Sequence, residues 1–72
     1  MEQELIKKAK QDLIDVCEKE VGRDLVMISF YEKAIKESKD KKDKANIELG
    51  KLEPIKKALA FNYKLLEHLK TL

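Results

Sequence analysis

The stretch GKLEP, residues 50–54, sets a glycine four positions before the only proline of a 72-residue chain. The sequence on both sides reads as helix, so these five residues either separate two helices or bend one. As a fresh start the stretch is poor: proline suits the first helical position, but Glu53 is a weak N-cap. As a bend it is better. Pro54 has no N–H to give the Gly50 carbonyl and its ring presses on that carbonyl, where glycine lets the backbone yield. An apolar stripe runs Ala45, Leu49, Leu52, Ile55, Leu59, Asn62, Leu66, Leu69, with Ala58, Phe61, Leu65 and Leu72 widening one flank. Two successive steps of three, from Leu49 to Ile55, mark a slip in that stripe at the proline. The expectation is a second helical arm kinked at Gly50/Pro54, whose halves continue in one direction.

The first arm carries Leu5, Ile6, Ala9, Leu13, Val16 and Cys17 at helical spacing, and the face resumes at Met27, Ile28, Tyr31, Ala34 and Ile35. Between them the stripe is interrupted near Gly22 by Glu20, Arg23 and Asp24. LVMISFY (25–31) is the one run that resembles a strand, but no other segment offers it a sheet partner. ESKDKKDK (37–44) has no apolar residue and reads as the turn, with Asp40 or Asp43 as the next N-cap. Acid-to-lysine pairs four apart, such as Glu32/Lys36 and Glu53/Lys57, support helix along both arms.

These features predict a single all-α domain over residues 1–72. It is an antiparallel helical hairpin with arms at 2–38 and 44–71, a turn at 39–43, and a bundle completed by oligomerisation. The alternative is a three-helix bundle, with Gly22 as a C-cap glycine and Asp24 capping the next helix. The hairpin is preferred because Val21, Leu25 and Val26 keep the surroundings of Gly22 apolar. A turn centred near residue 41 sets residue 20 opposite 62 and residue 24 opposite 58. The polar break in one stripe (Glu20, Arg23, Asp24) then lies level with the polar break in the other (Asn62), a layer suited to fixing register. The same register carries Leu5 and Ile6 past the shorter arm, where another chain would cover them.

Composition narrows the function classes. Charged residues make up 42% of the chain, but the net charge is only +2, which disfavours a purely electrostatic partner. Arg23 is the single arginine among sixteen bases, so bidentate base reading has almost nothing to work with. No apolar run nears the ~20 residues of a membrane span, and the N-terminal stretch has no apolar signal core. One cysteine permits no intrachain disulfide and fits a reducing compartment, so a cytoplasmic location is expected.

Catalytic patterns are missing. His68, the only histidine, has no carboxylate at helical spacing to orient it, and Cys17 lies on the apolar stripe beside Glu18, which does not favour a thiolate. There is no glycine-rich phosphate loop, no metal-ligand spacing and no implied cofactor. The reading is a non-enzymatic protein–protein interaction module, an adaptor, small chaperone-like subunit or inhibitor, that binds itself or a larger protein. Its expected contact residues are Leu5, Ile6, Leu25, Val26, Phe30, Phe61, Leu65 and Leu72. The alternative is a nucleic-acid-binding hairpin dimer using the lysines at 36–44 and Lys56, Lys57 and Lys64.

Overall fold

Good helix formers and the absence of an internal cap carry the first arm as one helix, α1 (Glu2–Glu37). A computed structural model describes residues 1–72. The interruption near Gly22 is one of side-chain polarity alone: the backbone stays helical through it, and no turn of a three-helix bundle forms there. Ser38 ends α1 in an extended conformation, its N–H bonding the carbonyls of Ala34 and Ile35 at 3.0 and 3.3 Å. Asp40 then caps α2 (Lys41–Ile47), its Oδ1 accepting the Lys42 N–H at 2.9 Å. The link is therefore Ser38–Asp40, tighter than the turn expected at 39–43. Because Asp40 takes the capping role, the charged helix formers after it are already helical.

The second arm is α2, a π-helical turn (Glu48–Leu52) and α3 (Glu53–Thr71). The expected irregularity at Gly50/Pro54 takes the form of this π turn. The Glu53 N–H bonds the Glu48 carbonyl five residues back instead of four. Pro54 follows at the first turn of α3, where its missing donor does least harm.

The burial pattern explains why the extra residue is there. On α1 the residues turned toward the other arm are Lys10, Ile14, Cys17, Val21, Asp24, Ile28, Tyr31 and Ile35, alternating steps of four and three. That is a heptad seam, the pattern of packed antiparallel helices. The facing residues of the second arm are Lys44, Ile47, Leu52, Ile55, Leu59, Asn62, Leu66 and Leu69. They keep the same alternation except for one five-residue step, Ile47 to Leu52. The π turn absorbs that surplus residue so the seam stays in phase on both sides of it. Leu49, placed in the stripe by its spacing, is instead 72% exposed, and Ala45 is exposed too.

The stripe expected on α1 is displaced similarly. Leu5, Ile6, Ala9, Leu13 and Val16 face outward, and Ile14 joins Cys17 inside. The seam through Ile14 and Cys17 contains one acid, Asp24, which finds a partner in the other arm. A seam through Leu13 and Val16 would have pressed both Glu20 and Arg23 against α3.

Five residues are buried: Ile14, Cys17, Leu66 and Leu69 in one cluster, with Leu52 apart from it. The molecule is a rod of 59 × 14 × 14 Å with a Cα radius of gyration of 16.7 Å. A globule of this length would measure about 11 Å.

Candidate interaction surface

The polar layer lies within the seam. Asn62 Nδ2 donates to Asp24 Oδ2 at 3.2 Å, both side chains half-buried. The partner of Asn62 is thus Asp24 and not Glu20, a shift of about one helical turn from the expected register. Two features lengthen the second arm relative to the first: the extended link at Ser38, and the residue taken up by the π turn. Glu20 and Arg23 stay exposed on α1. Lys10 Nζ reaches the Leu72 carbonyl at 2.8 Å, which sets the end of α3 near Lys10. Leu5 and Ile6 lie beyond that level and are exposed.

Asn62→Ala removes the donor that accompanies the Asp24 carboxylate out of bulk water. Its expected cost is about 1–2 kcal/mol in urea unfolding, the lower part of what a bond to a charged group contributes, because both side chains keep some contact with water. Replacing both residues with leucine is expected to recover or exceed wild-type stability, because an apolar pair needs no desolvated charge.

Six of the twelve exposed large apolar residues (Ile6, Leu13, Val16, Phe30, Phe61 and Leu72) line one side of the hairpin. Ala9, Leu13, Val16, Met27, Phe30 and Ala34 each stand one position before a seam residue of α1, Met27 and Ala34 being half-buried, and Ile6 continues the line one step toward the N-terminus. Pro54, Ala58, Phe61 and Leu65 stand in the same relation to the α3 seam, and Leu72 extends their line by helical spacing. One residue is about 100° of rotation. Since the two helices run in opposite directions and face each other, both strips turn to the same side of the hairpin. The other side carries Gln11, Asp15, Glu18, Leu25, Glu32 and Lys36 on α1, and Lys56, Ala60, Tyr63, Glu67 and Lys70 on α3. It is the more polar of the two sides.

Of the residues expected at a contact, Ile6, Phe30, Phe61, Leu65 and Leu72 fall on the apolar side. Leu65 is half-buried and packs on the core cluster, while the other four are more than half exposed. Leu5, Leu25 and Val26 are exposed but lie off that strip. Leu13 and Val16, read from sequence as seam residues, join the face.

No other site competes with it. A shallow concavity lined by Met1, Glu4, Leu5 and Lys8 is formed by the first turns of α1 alone. Cys17 is free and buried. His68 is exposed, and its backbone carbonyl accepts the Thr71 hydroxyl at 2.9 Å. No group of three His, Cys, Asp or Glu side chains is gathered as metal ligands, and no helix is long and apolar enough to cross a membrane. The chain matches no family model, no curated protein and no solved structure.

Proposed function

We propose that this chain is a non-catalytic interaction module of the cytoplasm, half of a helical bundle that works by docking its apolar side on a protein. An adaptor, a small chaperone-like subunit and an inhibitor all act this way. The observation that carries the reading is the line of exposed apolar residues along one side of the hairpin together with the surface left open. The accessible area is 6146 Å². A compact monomer of 8.4 kDa exposes about 4,600 Å². The difference, about 1,500 Å², falls in the range that each subunit loses in a permanent complex, about 1,000–2,500 Å².

Sedimentation combined with binding of an apolar-surface dye tests the reading. The expected result is self-association, or a monomer that binds the dye and loses that binding on Phe61→Glu. A stable monomer that binds no dye sinks it. Retardation of DNA or RNA at low salt, falling steeply as salt rises, would instead favour the lysine-based alternative. The lysines near the turn offer that alternative little: Glu37, Asp40 and Asp43 lie among them, and Asp40 is committed to its cap.

A further inference from the structure

The strip of α1 beside the seam, exposed except at the half-buried Met27 and Ala34, is itself a heptad seam. Ile6, Ala9, Leu13, Val16, Glu20, Arg23, Met27, Phe30 and Ala34 alternate steps of three and four over the length of the helix. Its only charged members, Glu20 and Arg23, are adjacent in the strip, opposite in sign and exposed in the hairpin. Apolar residues flank them on both sides.

We propose that the occupant of this face is a second copy of the chain, with α1 packed antiparallel on α1 of its partner about a two-fold axis between Glu20 and Arg23. The proposal rests on the interaction-module reading and names its partner. An antiparallel pairing with Glu20 opposite Arg23 of the second copy repeats that contact by symmetry, giving two ion pairs from one arrangement. The same operation sets Val16 opposite Met27, Leu13 opposite Phe30 and Ala9 opposite Ala34. Every layer from Ala9 to Ala34 is then charge-matched or apolar, and only the outermost one, Ile6 opposite Glu37, is mixed. Because Asn62 stands opposite Asp24, the axis crosses α3 near Leu65. The α3 strips of the two copies therefore close the other half of a four-helix bundle. A parallel pairing in register would set Glu20 on Glu20 and Arg23 on Arg23, and like charges face to face oppose association. The open area described above matches what a subunit of a permanent dimer loses.

Two charge-reversal variants test this. Arg23→Glu makes the centre of the strip wholly acidic, and Glu20→Arg makes it wholly basic. Each alone is expected to weaken self-association about tenfold or more in sedimentation equilibrium, while far-UV circular dichroism shows the helices intact. Mixed in equal amounts, the two variants are expected to form a heterodimer of wild-type strength, since each acid then meets an arginine. A wild-type chain that stays monomeric at high concentration overturns the proposal, as does a dimer indifferent to both reversals or a mixture that fails to recover. A monomer that still binds the apolar-surface dye separates the two claims: self-pairing falls and the interaction-module reading stands.

Discussion

Leu66→Ala is expected to remove about half of the stability of the hairpin. Leu66 is 8% exposed and belongs to the one cluster of buried residues, with Ile14, Cys17 and Leu69. Truncating a buried leucine costs about 2–5 kcal/mol, the upper part of that range applying where the surroundings cannot collapse into the space. A chain of 72 residues has roughly 4–11 kcal/mol to lose. In a larger protein such a change is absorbed by the rest of the core, but here four residues are the cluster. Urea titration at a concentration low enough to exclude association should show the midpoint fall accordingly. Val26→Ala is the control: it deletes carbon from an apolar residue of the other arm that is exposed and off both seams. Its expected effect is within about 0.5 kcal/mol. Equal effects for the two would mean that the buried cluster does not hold the arms together.

That contrast shows where the sequence was legible. Helical periodicity, the lone charged run and the capping aspartate were enough to give two antiparallel arms and a tip at Asp40. They did not settle which of two neighbouring strips on α1 meets α3, because both are heptads and both are largely apolar. Leu13/Val16 and Ile14/Cys17 differ by one position, or about 100° of rotation. Only the second arm discriminates between them, by supplying Asn62 to Asp24. Apolar spacing measures how often a helix returns to a face. It does not say how many partners the helix has, and a helix with two partners carries two overlapping answers. The same overlap hid the exposure of Leu13 and Val16, whose spacing reads equally well as the seam. Phe30, Phe61 and Leu72 stand out in the sequence as apolar residues that no single seam accommodates, and all three are exposed.

Deleting Gly50 together with Pro54→Ala is expected to turn the π turn into ordinary α-helix and to stabilise the second arm. The surplus residue sits between Ile47 and Leu52, whose five-residue step is the only departure from alternating threes and fours in that arm. Removing one residue makes the step four, and the seam can then be followed with α-helical hydrogen bonds throughout. The gain should be about 1–3 kcal/mol, from losing a helical glycine and regaining a donor at the proline position. The single variants separate the causes. Pro54→Ala alone keeps the five-residue step, so the Glu53 N–H should still bond the Glu48 carbonyl and Leu49 should stay exposed, because the seam spacing requires it. Deleting Gly50 with proline retained forces the ring against a carbonyl of the new α turn and should destabilise. Backbone chemical shifts over 47–55, with the labelling rate of a thiol introduced by Leu49→Cys in a Cys17→Ala background, report which conformation each variant adopts. If Pro54→Ala alone swings position 49 into the seam, the proline and not the spacing holds the π turn. In that case Leu49 rather than Ile47 is the residue the seam prefers, and the step of five is a consequence of the kink instead of its cause.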